Sequence, residues 1–286
     1  MSIEKIALLV DSGTDVPKEI MQLPFVFIAP LNIHYPNETF QDTKNITPQA
    51  VYQRMPDEIP TTSTPTGEQI SLILSQIEAK GYNQVIVITI SSGLSGTLNA
   101  IRIQSEEFGD LEFAFIDTKN ISVASGLSVM YAADLINQGE SFAEVVAKTR
   151  GQLTNNKIFF YVDTLKYLLK GGRIGRVSGV VGQLLSIKPI ISCDDEGIYY
   201  SVAKERGKQK ALKRLLQLVK DFAQDHEVII IIVNADTQEL SDKLQHVLQE
   251  SGLKIRQMLQ SEVSPALGVH TGAGAIGIAV ARNLAN

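Results

Sequence analysis

The sequence holds a single cysteine, Cys193, no tryptophan and four histidines. One thiol excludes an intramolecular disulfide and any multi-cysteine metal site, and it fits a reducing compartment. The histidines show no H-x-x-x-H or H-E-x-x-H spacing, so nothing signals a metal. Long apolar runs are missing as well. The longest aliphatic stretch, VIIIIV (228–233), falls far short of the ~20 residues of a membrane helix. The N-terminus, MSIEKIALLVDSGTD, has no basic start and no cleavage site; it reads as a first strand, not a signal peptide. These absences predict a cytoplasmic protein with at most transient membrane contact. Positive charge is in deficit, with 26 Lys and Arg against 31 Asp and Glu and a net charge of −5. That balance argues against nucleic acid as the main partner, because phosphate contacts dominate such affinities.

What is present is ordinary core material: 286 residues, 44% hydrophobic and 20% charged. The length suggests two domains. Short apolar runs such as KIALLVD (5–11), FVFIAPL (25–31), QVIVITI (84–90), FAFID (113–117), IFFYVD (158–163) and VIIIIVNAD (228–236) read as strands covered on both faces. Between them, GEQISLILSQIEAKG (67–81) spaces Ile70, Ile73, Leu74 and Ile77 helically and ends in glycine. Ser141 and Glu144 have the spacing of a capping box. The alternation predicts an α/β protein with mostly parallel strands. Its expected halves are an N-terminal three-layer parallel-sheet sandwich (1–160) and a C-terminal α/β domain (161–286). CDDEGIYYSV reads as a turn or hairpin leading into a strand.

Four stretches rich in hydroxyls or glycine stand beside predicted strands and helices: DSGTD (11–15), TTSTPTG (61–67), SSGLSGT (91–97) and HTGAGAIG (270–277). Each could aim backbone N–H groups and hydroxyls at an anion, as helix N-termini do. Each could equally be a turn or cap, where Ser, Thr, Asp and Gly are common. Four in one chain favour a shared site. No Walker loop occurs. GLSGT is not a nucleophile elbow, because Thr97 ends it. HTGAGAIG satisfies G-x-G-x-x-G but leaves no room for a following ribose-binding strand.

Ser95 could therefore be a nucleophile, part of a phosphate cradle, or a donor to an unreactive ligand. A nucleophilic serine needs a base. His226 and His246 have polar neighbours, and His34 falls in a strand. His270 opens the last glycine-rich turn. It could be a base for Ser95, with Asp117 as orienter, in an esterase or thioesterase. It could donate to a bound anion, or it could stand idle at a helix edge. The glycine loops also admit a phosphosugar or nucleotide ligand. A basic segment, KERGKQKALKR (204–214), carries six basic residues against one acid, and Lys166, Lys170, Arg173 and Arg176 form a second cluster. Such runs are solvated helix faces or docking surfaces for an acidic partner.

Taken together, DSGTD, TSTPT (62–66), SSGLSGT, DTKNISVASG (117–126), TLKYLLKGGRI (164–174), GQLLSIKPII (182–191), KERGKQKAL (204–212) and HTGAGAIG resemble, along the whole chain, the DegV family of bacterial fatty-acid-binding proteins. The resemblance implies two α/β domains, with one fatty acid, such as palmitate or oleate, lying in an apolar tunnel at their interface. It implies a carboxylate held by Thr62 or Ser63, by Ser95 with Gly96, and by His270 with Thr271. It implies a carrier and not an enzyme, with no cofactor or metal, which presents its cargo to a separate fatty acid kinase for acyl-phosphate formation in lipid synthesis. Arg173 and Arg206 match positions near the mouth that would meet the kinase or the new phosphate. Ala273 and Thr64 depart from the family's usual proline and glutamine, and neither change removes a donor.

The chemistry is coherent. A carboxylate leaving water must be fully hydrogen-bonded, and hydroxyls with backbone N–H groups do this without adding charge. Each buried CH₂ contributes ~0.8 kcal/mol, so a sixteen-carbon tail supplies more than about 10 kcal/mol before ordering costs.

Overall fold

The computed structural model describes residues 5–55, 57–180 and 187–282. The first part of the GQLLSIKPII motif, residues 182–186, lies outside them. The described strands, in chain order, are β1 (Ile6–Asp11), β2 (Val26–Ala29), β3 (Asn32–Tyr35), β4 (Glu38–Gln41), β5 (Thr61–Ser63), β6 (Gln84–Thr89), β7 (Glu112–Asp117), β8 (Asn156–Tyr161), β9 (Ile187–Cys193), β10 (Tyr199–Arg206), β11 (Val228–Asn234), β12 (Ile255–Glu262) and β13 (Ile276–Arg282).

They form three sheets. The first has the order β2-β1-β6-β7 and is parallel throughout. Both β1 and β6 are buried along their whole length, as continuous apolar runs in a doubly covered sheet should be. Helices Gly67–Ala79 and Thr97–Ser105 pack together against it, as do Val123–Asn137 and Phe142–Gln152. The helical spacing read at 70–77 places Ile70, Ile73, Leu74 and Ile77 in that core. Two capping boxes fix helix starts, Thr66 with Gln69 and Ser141 with Glu144; the second is the pair read from sequence.

The second sheet has the order β10-β9-β8-β13-β11-β12. Here the expectation of mostly parallel strands fails. Only β11 and β12 pair in parallel; the other four pairings are antiparallel. One of the four follows from a short connection. β9 and β10 are joined by a hairpin whose turn places Gly197 at φ 75°, and such a turn needs no helical crossover. The small third sheet, β4-β3-β5, is antiparallel. Its strand β5 is the TTS of a segment that reads from sequence as a hydroxyl-rich loop.

One apolar cluster runs between the first and second sheets. It joins Leu31, Ile90 and Ile121, which lie just beyond strands of the first sheet, to Ile158, Phe160 and Val233 of the second. This is where the cavity opens. Among the described residues no helix is long and apolar enough to cross a membrane.

Candidate functional site: a cavity with one polar end

The cavity encloses about 820 Å³ of space free of protein atoms, its open mouth included. One apolar wall of its lining comes from the second sheet, through Ile158 and Phe160 (β8), Val233 (β11) and Ile276 (β13), and the rest from loops and the Pro265–Thr271 helix, through residues such as Leu31, Ile90, Ile121 and Leu267. Phe160 and Tyr199 brace this wall edge to face, with ring centroids 5.2 Å apart. The polar part includes Thr62, Ser63, Ser95, Arg173, His270 and Thr271, with Thr64 and Ser122. The loop after β6 and the segment after β7 lie at the carboxyl ends of parallel strands, where ligands of open α/β sheets bind.

Thr62 and Ser63 sit side by side on β5, and successive strand residues face opposite ways. Thr62 Oγ1 lies 2.7 Å from His270 Nε2. Ser63 Oγ lies 2.8 Å from His34 Nε2 and donates to Thr64 O at 3.1 Å. Sequence reading left Thr62 and Ser63 as alternatives; the hydroxyl joined to His270 is that of Thr62. Ser95 Oγ lies 2.8 Å from Thr97 Oγ1 and accepts from Thr97 N at 3.3 Å, so the same hydroxyl that lines the cavity also holds the start of the Thr97–Ser105 helix. Gly96 is the cap residue of that helix. Its Cα carries no side chain towards Thr64, whose Cγ2 would lie 3.6 Å from an added Cβ.

His270 and Thr271 end the short helix Pro265–Thr271. Thr271 Oγ1 donates back to Leu267 O at 3.2 Å. His270 is nine-tenths buried, and its Nδ1 has no hydrogen-bond partner among the described residues. Burial, reinforced by the nearby Arg173 charge, lowers its pKa to about 4, so the imidazole is neutral at physiological pH. Its ring fits because position 171 is glycine: a Cβ there would stand 2.1 Å from Nδ1.

Arg173 is half-buried in the lining. Its Nη1 donates to Gly171 O at 2.7 Å and its Nε to Leu94 O at 3.3 Å. It thereby ties the GGRI turn to the SSGLSGT loop. The polar end therefore carries a guanidinium, whereas the sequence reading built the clamp from uncharged donors alone. Arg206 stands apart. It ends β10, is exposed and is not among the lining residues.

The last glycine-rich motif also differs from its sequence reading. HTGAGAIG closes a helix and leads into β13, with Gly272 at φ 72° as the C-cap. Phosphate cradles use the positive end of a helix; this motif sits at the opposite end, which removes its support for a nucleotide site.

A family model described as "Uncharacterised protein, DegV family" matches residues 5–283. The chain belongs to the DegV family. A DegV domain-containing protein of Clostridium acetobutylicum is 38% identical to it over 279 residues, 97% of this chain and 99% of the other. The crystal structure of a fatty acid binding DegV family protein from Streptococcus agalactiae superposes with a TM-score of 0.90 at 31% identity, covering 98% of this chain and 100% of that one. A stearic acid-binding protein from Eubacterium ventriosum gives 0.87 at 26% identity, with 98% and 99% covered.

The DegV cavity does not assemble a serine-hydrolase triad. Ser95 bonds to Thr97, and His270 bonds to Thr62. Asp117 is engaged elsewhere: it accepts from Ser92 Oγ, from Ser92 N and Lys119 N at 3.1 Å each, and pairs with Lys119 Nζ at 2.8 Å. Among the described residues no carboxylate meets His270 Nδ1, so the orienting partner of a triad is missing. Nor does any group of three or more His, Cys, Asp or Glu among them form a metal site.

Sequence reading gave no site role to three polar lining residues, Thr64, Tyr199 and Ser122, and named none of the apolar ones. Tyr199 left no signal. Ser122 lies inside the DTKNISVASG motif, but its backbone, at φ 54° and ψ −144°, is not legible from residue type.

Proposed function

We propose that this protein binds one long-chain fatty acid in the cavity, tail against the second sheet and carboxylate among Thr62, Ser95, His270, Thr271 and Arg173. The observation that carries the reading is the division of the lining: an apolar wall supplied by β8, β11 and β13, and a polar end of hydroxyls, a neutral imidazole and one guanidinium. The fatty acid and stearic acid ligands of the two structural relatives fit that division. A fatty acid takes both ends of such a lining; a nucleotide would leave the apolar wall unused.

No nucleophile is needed for this role. The carrier holds the carboxylate at the mouth while a separate fatty acid kinase phosphorylates it, and Arg173 and the exposed Arg206 are the basic residues offered to that partner or to the new phosphate. The two-domain division near residue 160, with the ligand at the interface, and a cytoplasmic location belong to the same reading.

Native mass spectrometry of the purified protein tests binding: a co-purified fatty acid, or uptake of palmitate, oleate or stearate, is the expected result. Absence of both sinks the reading. Coupling is tested separately by ATP-dependent acyl-phosphate formation with a fatty acid kinase from the same genome, with and without this protein.

A further inference from the structure

The DSGTD motif contributes no residue to the cavity lining, yet its polar groups reach four segments that do. Ser12 Oγ accepts from Leu31 N at 3.0 Å, and Asp11 Oδ2 from Ile90 N at 3.2 Å. Gly13 O accepts from Ser122 N at 3.1 Å, and Asp15 Oδ2 from the Ser122 hydroxyl. Asp15 Oδ1 accepts from Ser264 N at 3.2 Å. Leu31, Ile90 and Ser122 are lining residues, and Ser264 is the cap of the helix that carries His270 and Thr271.

From this convergence we propose that Asp15 is a positioning residue for the carboxylate clamp: its two oxygens lock Ser122 to the helix bearing His270. The inference rests on the fatty-acid reading of the cavity.

Four features support it. Ser122 occupies a backbone region that non-glycine residues rarely adopt, and such strain persists only where the surroundings over-determine it. Here the Asp15 carboxylate and the Gly13 carbonyl grip its side chain and its N–H. The Pro265–Thr271 helix is seven residues long, about 10 Å at ~1.5 Å per residue, so a shift at its start reaches His270 with little loss. Asp42 Oδ1 holds the same helix through Ala266 N at 3.0 Å. The packing behind the motif leaves no slack either: a Cβ on Gly126 would stand 2.7 Å from Thr14 O.

A carboxylate accepts from both donors at once. An amide cannot: its Oδ1 keeps the Ser264 N–H, and its NH₂ must instead donate to the Ser122 hydroxyl, a neutral and weaker bond. Asp15→Asn therefore weakens the Ser122 arm of the lock at constant shape, and Ser122→Ala removes the same arm by deleting one hydroxyl. A general loss of packing would weaken every ligand; a misplaced clamp weakens only ligands with a carboxylate. The test titrates wild type, Asp15→Asn and Ser122→Ala with dodecanoate and with dodecanol by calorimetry. Both variants are expected to lose roughly tenfold in dodecanoate affinity, about the effect of one hydrogen bond to a charged group, while binding dodecanol as wild type does. Equal losses for both ligands, or no loss for either, overturn the assignment. If Asp15→Asn does not fold, Ser122→Ala decides alone. Wild type that binds neither ligand, or does not prefer the acid, instead overturns the fatty-acid reading and the inference with it.

Discussion

Thr62 Oγ1 and His270 Nε2 meet at 2.7 Å across 208 residues of sequence. The contact joins β5 to the last helix and sets the tautomer question at the clamp. His270 is neutral, so one ring nitrogen donates and the other accepts. Nδ1 is buried without a protein partner among the described residues, and Thr62 can serve Nε2 in either role. Either tautomer of the ring therefore keeps the Thr62 contact.

Removing either hydroxyl of the clamp should weaken acid binding. Ser95→Ala and Thr62→Ala are each expected to lose roughly 1–3 kcal/mol for a fatty acid, as for a lost hydrogen bond to a charged group. Calorimetric titration with palmitate checks this, and unaltered affinity would remove that residue from the clamp.

Arg173→Glu should now harm lipid binding as well as kinase coupling. The family resemblance alone assigns Arg173 to the kinase or the new phosphate, not to the lipid. Its place in the lining, beside Leu94 O and Gly171 O, puts a carboxylate against a carboxylate when the charge is reversed. A competition assay with a fluorescent fatty acid should show a loss of tenfold or more; wild-type affinity would return Arg173 to a purely external role.

Gly171→Ala changes no lining atom. Its backbone, at φ −77°, accepts alanine, but the new methyl would stand 2.1 Å from His270 Nδ1. The ring must move and the Thr62 contact with it. Weaker fatty acid binding with a preserved helical spectrum is expected; binding equal to wild type would mean that the His270 position is unimportant.

Stability should fall as pH rises from about 6.5 to 8. Burial raises Asp11 to about 8, Asp15 to about 7 and Asp42 to about 6. In this window the folded chain holds protons that unfolded aspartates have already released, so raising the pH removes stability until the folded groups have ionised. His270 acts the other way, and only at lower pH. Below its ordinary value of 6.5 the unfolded imidazole gains a proton that the buried ring refuses down to about 4, which removes stability as pH falls. Melting temperatures at pH 6.5, 7.25 and 8 should decline, less steeply in Asp15→Asn. An identical slope in both proteins would show that Asp15 does not titrate there.

Much of this was legible because it is local. Continuous aliphatic runs gave β1, β6 and β11, and cap spacing gave the helix start at Ser141. Strand direction in the second sheet was not legible, since apolar runs carry no sign of whether a hairpin or a crossover joins them. Thr62, Ser95 and His270 were read from motif resemblance, and the structure brings all three to one cavity. The tasks of DSGTD and Arg173 were hidden. Hydroxyls and carboxylates look the same in sequence whether they face a ligand or hold the backbone behind it, and only the contacts to Ile90, Ser122 and Ser264 separate the two.

On the fatty-acid reading, the apolar wall ties cargo to stability. Phe160, Val233 and Ile158 belong to the same cluster that seals the first sheet to the second. An acyl chain lying against them is a removable section of the hydrophobic core. On that reading a loaded molecule gains RT ln(1 + [L]/Kd) over an empty one, and resistance to unfolding and proteolysis should record whether the cavity is filled.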